Sequence, residues 1–217
     1  MNKQRRLIFV GGGGHCRSVA DVALSADCRI LGFIDPDTAA ETLGFPRLGD
    51  DPDMAEIASA NPDAEFLVTT GQIKSSALRR RLVEALDKAG CKIAAPLAAP
   101  DAYVALFVKA GDGTVIMHKA VVNVGAAIGK HTIINTGAII EHDCRIGDFC
   151  HISTGAVVNG GCEIGNDVFV GSRAVLAHGV KVADGVVIGA GSVVIHDITQ
   201  AGIYCGSPAK LVANHED

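Results

Sequence analysis

His142 stands between two carboxylates, Glu141 and Asp143, in the run Ile139-Ile-Glu-His-Asp143. Imidazole is the side chain whose proton affinity falls nearest neutrality, and a neighbouring carboxylate can orient the ring and raise its basicity. Either acid could do so. Asp143 belongs to a turn and is the better placed, because Glu141 directly follows Ile140, whose side chain points inward. Eighteen residues after His142 comes Gly160, which leaves room for a substrate and an accessible main-chain N–H. A base beside an N–H that can hold an oxyanion is the equipment of acyl transfer. His151 falls nine residues after His142, near the opposite end of a neighbouring strand. His178 and His196 continue the eighteen-residue interval, and together with His118 and His131 they read as solvated or packed surface histidines.

That interval has meaning because of the repeat that carries it. Every sixth residue from Ile116 through Val122, Ile128, Ile134 and Ile140 to Val194 is aliphatic. Four residues after each comes a residue that is mostly small, among them Ala120, Ala126, Thr132, Ala138, Cys144, Cys150, Ala156 and Cys162. A period of six suits neither an α-helix nor an alternating strand. It fits a hexapeptide β-helix with one short strand and one corner per hexad and three hexads per coil. Residues eighteen apart then stack at about the inter-strand spacing of 4.8 Å. In this reading the aliphatic residue points into the prism and the small one lets the corner turn. His142, Gly160, His178 and His196 form one row along an outer edge.

The first hundred residues read differently. Leu7–Val10 is a short apolar run that leads into Gly11-Gly-Gly-Gly14-His15, after which Ser18 is placed to cap a helix with Val19, Val22 and Ala23 on its apolar face. Further expected elements are a strand from Arg29 to Ile34 ending at Asp35, a helix from Pro52 to Ala60 and a strand from Phe66 to Thr70. A helix over Ser75–Ala89, with Leu78, Leu82, Ala85 and Leu86 on one face, and a last strand from Lys92 to Ala95 follow. Strand alternating with helix predicts a small parallel, Rossmann-like sheet. An Ala-rich linker between Pro96 and Pro100 puts the boundary near residue 100, giving units 1–100 and 101–217. Glycines between a strand and a helix can close main-chain N–H groups on a phosphate, and Asp35 sits where a ribose-binding acid is expected. The fingerprint ends in Cys16 rather than Gly or Ala, so a single nucleotide diphosphate fits better than NAD. A glycine-rich turn without a ligand is the competing reading, and His15 could donate to a phosphate or cap a turn.

Composition excludes several classes. The 217 residues are 48% hydrophobic and 20% charged, as in a core-forming globular protein, and the net charge of −5 argues against a polyanion partner. No apolar run reaches the ~18 residues of a membrane span, and no signal-peptide layout is present. Seven cysteines without a CxxC argue against a disulfide scaffold or a zinc knuckle and for a reducing compartment, the cytoplasm. Cys144, Cys150 and Cys162 occupy inward or corner positions where a thiol is inert, which rejects a cysteine nucleophile.

Gly11-Gly-Gly-Gly-His15, Asn135-Thr-Gly-Ala-Ile-Ile-Glu-His-Asp143, Ile146-Gly-Asp-Phe-Cys-His-Ile-Ser153 and Gly206-Ser-Pro-Ala-Lys210 resemble the bacterial sugar acyltransferases of the sialic-acid O-acetyltransferase-like family. Within it the chain is most similar to N-acetyltransferases of UDP- or GDP-linked 4-amino-4,6-dideoxy sugars, the bacillosamine and perosamine type. The resemblance covers both units and implies a left-handed β-helix, acetyl-CoA as co-substrate, no metal, and a homotrimer with coenzyme A in the groove between adjacent coils. Position by position it implies His142 as base, Asp143 as its orienting acid and Gly160 as the oxyanion donor. His151 would meet the thioester side, and Lys181 and Lys210 are candidate coenzyme contacts. Gly12, Gly13, Gly14, His15 and Asp35 would hold the nucleotide diphosphate, with Asn135 near the sugar. Cys16 and Arg17 depart from the residues often found after the loop histidine, and Ala98-Ala-Pro-Asp101 lacks the usual His-Pro pair.

Other functions share parts of this pattern. An O-acetyltransferase of a sialic-acid-type sugar would use the same base. A β-helical carbonic anhydrase needs three zinc-binding imidazoles, a role into which His118, His142 and His151 could be forced. A nucleotide-sugar sensor would not bind acetyl-CoA, and the serine acetyltransferases carry a helical N-terminal domain instead of an α/β one.

Overall fold

The computed structural model describes residues 4–214. An α/β sheet domain is followed by a left-handed β-helix of hexapeptide repeats, as the sequence predicts. The first domain consists of β1 (Arg6–Val10), α1 (Gly14–Ser25), β2 (Arg29–Ile34), β3 (Arg47–Gly49), α2 (Met54–Ala60), β4 (Ala64–Val68) and α3 (Ala77–Lys88). Its four parallel strands run in the order β3-β2-β1-β4. The apolar strand residues Leu7, Ile8, Phe9, Val10, Phe66 and Leu67 are all buried, as expected of a sheet covered on both faces. Lys92–Ala95 gives only a single bridge, Ile93 to Phe66, and not a strand. The chain must leave the sheet there, because Pro96 has no N–H with which to continue a ladder.

The coil has three faces of short strands, two residues long except Val186–Ile188, and up to that strand partners lie eighteen apart in sequence. Ile133–Ile134 pairs with His151–Ile152 on the first face, Ile139–Ile140 with Val157–Val158 on the second, and Arg145–Ile146 with Glu163–Ile164 on the third. The first face starts at Leu97–Ala98 and ends in a hairpin, Gly202–Gly206 with Ala209–Ala213. Every aliphatic residue of the six-residue series from Ile116 to Val194 is buried, and so is every residue four positions after one, from Ala120 to Ser192.

The small residue does not make the corner, contrary to the sequence expectation. It lies inside the prism, while the residue before it turns the chain. Every sixth residue from Phe107 to Gly191 has φ between 53° and 75°. Eight of these fifteen corners are glycine; the others are Phe107, Lys119, His131, Asp143, Phe149, Asp167 and Arg173. A left-handed L-residue costs about 1–2 kcal/mol. The coil offsets this with a hydrogen bond between layers, such as Asp143 N–H to the Val124 carbonyl at 3.1 Å.

The two domains share their core. Cys16, Val19 and Ala20 of α1 pack in one cluster with Val115 and Met117 of the coil, and Phe149 joins Leu82, Val83 and Leu86 of α3. Arg80 stacks over the Phe149 ring at 4.1 Å and makes two 2.7 Å bonds to the Asp167 carboxylate, which Ser76 also contacts.

Candidate active site

His142 sits on the edge between the second and third faces, its side chain half exposed. Its Nδ1 is 3.0 Å from Asp143 Oδ2. Asp143 holds a left-handed corner (φ 62°), a conformation Asp tolerates better than most residues, and this aims the carboxylate back at the preceding ring. Glu141 is turned away and accepts from Asn123 Nδ2 at 2.9 Å. On the other side, the ring lies over Gly160: a Cβ there would be 2.5 Å from His142 Nε2. The Gly160 N–H has no hydrogen-bond partner among the described residues. His178, read from sequence as a surface histidine, lies beside the next residue, Gly161, with its ring centroid 6.3 Å from that of His142.

The glycine loop is built by close approach. A Cβ on Gly11 (φ 102°) would meet Thr70 at 2.5 Å, and one on Gly12 would meet the Phe33 ring at 2.7 Å. Gly13 is the N-cap of α1, and open space lies beside both Gly13 and Gly14. The helix therefore starts four residues before Ser18, which lies within it and caps nothing; extended backbone at glycine serves instead. The orphan N–H groups of this first turn, with no acid among them, favour an anion. Asp35 bonds the loop itself, accepting from Gly12 N–H at 2.6 Å and from Asp37 N–H at 2.9 Å.

A second group of polar residues lies where the α/β domain meets the first face. His151 is buried, with Nδ1 2.6 Å from the Gln72 carbonyl and Nε2 2.9 Å from Asn135 Nδ2. His15, in the first turn of α1, places its ring 6.4 Å from that of His151. Burial, Arg79 and His151 lower the His15 pKa to about 3, and burial foremost, then Arg79, lowers that of His151 to about 4. Both rings are thus neutral at physiological pH.

Arg79 was absent from the sequence candidates. It is 1% exposed, whereas Leu78, expected on the inner face of α3, is 46% exposed. The signal was present, because Arg79, Leu82, Val83 and Leu86 follow the i, i+3, i+4, i+7 spacing of a buried face. Its Nη1 donates to Thr70 O at 2.6 Å and its Nη2 to His131 O at 2.9 Å. Gln72 was missed too; its Nε2 donates to Phe149 O at 2.7 Å. His131 is buried and stacked on Phe149 at 4.9 Å, so it is packed beneath α3 and not solvated.

Lys181 lies on the third face and pairs with Glu163 at 3.2 Å, while Lys210 is exposed on the outer strand of the hairpin. The edge carrying His142 lies opposite the face carrying His151, so one chain does not bring the two imidazoles together. Among the described residues, no group of three or more His, Cys, Asp or Glu is placed to hold a metal ion, and no helix is long and apolar enough to cross a membrane.

Residues 6–86 match the PglD N-terminal domain family, and residues 161–196 match the bacterial transferase hexapeptide family. The acetyltransferase domain of PglB from Neisseria gonorrhoeae FA1090 is 32% identical over 96% of this chain and 100% of its own, with a TM-score of 0.88. A second structure of that domain is in complex with acetyl coenzyme A. PerB from Caulobacter crescentus, in complex with CoA and GDP-perosamine, is 29% identical over 98% of this chain and 99% of its own, with a TM-score of 0.88. WeeI from Acinetobacter baumannii AYE, 22% identical with a TM-score of 0.80 over 97% of this chain and 100% of its own, shares the fold. No curated protein sequence matches the chain. With both units aligned in one continuous match, the chain belongs to the bacterial sugar acyltransferase family of the bacillosamine and perosamine type, and it is an acetyltransferase.

Proposed function

We propose that the protein transfers the acetyl group of acetyl-CoA to the 4-amino group of a nucleotide-linked amino-dideoxysugar, with His142 as general base. The observation that carries this reading is the imidazole held by Asp143 at Nδ1 while Nε2 overhangs a bare glycine with a free N–H. The amine attacks the thioester carbonyl, and His142 Nε2 takes the amine proton as the C–N bond forms. The Gly160 N–H holds the oxyanion; the C–S bond then breaks, and the proton passes to the departing thiolate. Such a base contributes about 10²–10⁴ in rate and such a donor about 10²–10³. An acyl-cysteine route is disfavoured because Cys144, Cys150 and Cys162 are fully buried: burial raises Cys150 to about 12, and Cys162, lowered to about 7 by its contact with the Cys144 thiol, is closed to substrate inside the prism.

In this reading the first turn of α1 with Gly12, Gly13, Gly14 and His15 receives the diphosphate, Asp35 shapes that loop, and Asn135 and His151 line the reacting end. Lys181 and Lys210 remain candidate coenzyme contacts. Because His142 and His151 face opposite ways, the reading places each site between subunits of a homotrimer. Leu106, Phe107 and Val124, exposed on the same edge as His142, support a subunit contact there.

The deciding experiment is a thiol-release assay with acetyl-CoA against UDP-, GDP- and dTDP-linked 4-amino sugars, with CMP-linked and free sialic acid as hydroxyl acceptors. Release with an amino sugar is expected; release with the sialic acids alone would favour O-acetylation, and none with any acceptor would sink the reading.

A further inference from the structure

The ring of His151 is fixed from two independent directions. A carbonyl oxygen only accepts, so the contact with Gln72 O puts the ring proton on Nδ1. Asn135 leads to the same result. Its Oδ1 accepts from Thr136 N–H at 2.8 Å, which leaves Nδ2 to donate to Nε2.

The loop that carries the Gln72 carbonyl is pinned on both sides. Before it, Arg79 holds the carbonyls of Val68, at 3.3 Å, and Thr70, at 2.6 Å, and ties them to His131 of the coil. At Gln72 itself, the side-chain amide donates to Phe149 O. Among the described residues Arg79 has carbonyl partners but no carboxylate partner, an uncommon arrangement for a fully buried cation. The charged and titratable groups facing His151 are Arg79 from α3 and His15 from α1, and the Phe169 ring closes the site edge-on at 5.3 Å.

We propose that Gln72 and Arg79 are positioning residues that hold His151 as the neutral Nδ1–H tautomer, so that Nε2, which accepts from Asn135 Nδ2 here, offers only a lone pair to a ligand group that takes the place of that amide. The group it recognises is then an N–H or O–H donor, such as a sugar hydroxyl or amine or an amide of the acyl-donor arm, and not the thioester carbonyl. Arg79 acts by charge as well as by geometry, since a permanent cation beside two imidazoles opposes their protonation. The proposal rests on the reading that His151 lines the reacting site.

Long-range ¹H–¹⁵N spectra of the full chain at pH 7 test it directly. The expected wild-type pattern is His151 protonated on Nδ1 and bare on Nε2. In Gln72→Ala the two tautomers should mix and kcat fall about tenfold, the lower end of what losing a ring-orienting partner costs, with KM for the nucleotide sugar little changed. Arg79→Met should raise the pH at which His151 takes up its second proton. Arg79→Lys, which keeps the charge and is the safer variant for folding, should restore much of that shift. A wild-type Nε2–H tautomer, or Gln72→Ala with tautomer and kcat unaltered, overturns the proposal. Unchanged turnover in His151→Gln overturns it at its premise, and the wild-type spectrum distinguishes that failure from the others.

Discussion

His142 Nε2 and the α-carbon of Gly160 face each other across one layer of the coil with no room for a methyl group between them. Gly160 is not among the left-handed corners, so its lack of a side chain answers to that imidazole and not to its own backbone.

Gly160→Ala should therefore separate activity from stability. The new Cβ would meet the far end of a half-exposed ring, which can swing out at little folding cost. The expected result is a loss of about 10²-fold or more in kcat with a melting temperature within a few degrees of wild type. A large drop in melting temperature would show that the glycine serves packing instead.

His142→Asn should lower turnover at least about a hundredfold while calorimetric binding of the nucleotide sugar survives. Asp143→Asn keeps a residue that tolerates the left-handed corner but removes the carboxylate. It should cost about ten- to a hundredfold in kcat. Full activity in either variant would remove that residue from the chemistry.

Acid should unfold the protein through its buried imidazoles. His15, His131 and His151 are held neutral, with pKa values lowered to about 3, about 4 and about 4, mainly by burial. The unfolded chain takes these protons near the ordinary value of about 6.5. Unfolding thus binds protons between about pH 6.5 and 4, and stability falls as pH falls through that window. Urea unfolding at pH 7, 6 and 5 should show the midpoint dropping, with up to about three protons bound per unfolding event near pH 5. A flat midpoint over that range would contradict the burial of these rings.

The Arg80–Asp167 pair joins the domains. Both groups are partly exposed, so the ion pair and the stacking on Phe149 together should contribute only about 1 kcal/mol. A double-mutant cycle of Arg80→Ala and Asp167→Ala, read by chemical denaturation, should return a coupling near that size. Zero coupling would make the contact incidental.

The coil was legible because its inward positions repeat without a slip over fourteen hexads, from Ile116 to Val194. The turning residue was not, since four of the fifteen left-handed corners, Phe107, Lys119, Phe149 and Arg173, carry side chains whose types do not announce them. There the hydrogen bond between layers overrides local preference. In α3, Leu82 and Leu86 lie on the buried face as expected, but Leu78 gives way there to Arg79, because a buried guanidinium can be satisfied by carbonyls that only the fold assembles. The start of α1 was misplaced because extended glycine replaced the expected serine cap. Pairing of His142 with Asp143 could be anticipated from adjacency and the turn; the joining of His15, His151, Asn135 and Gln72 could not, since it depends on how the sheet domain sits against the coil.

The uniform rise of the coil also sets what lengths natural variants can take. A segment of eighteen residues can be added or removed beyond the layers of His142 and Gly160 and leave every column above and below aligned, so relatives can grow or shrink in whole storeys. An insertion of one residue within a strand instead turns the following side chains inside out. Tolerated insertions should therefore gather at the corners, where they bulge outward and leave the wall intact.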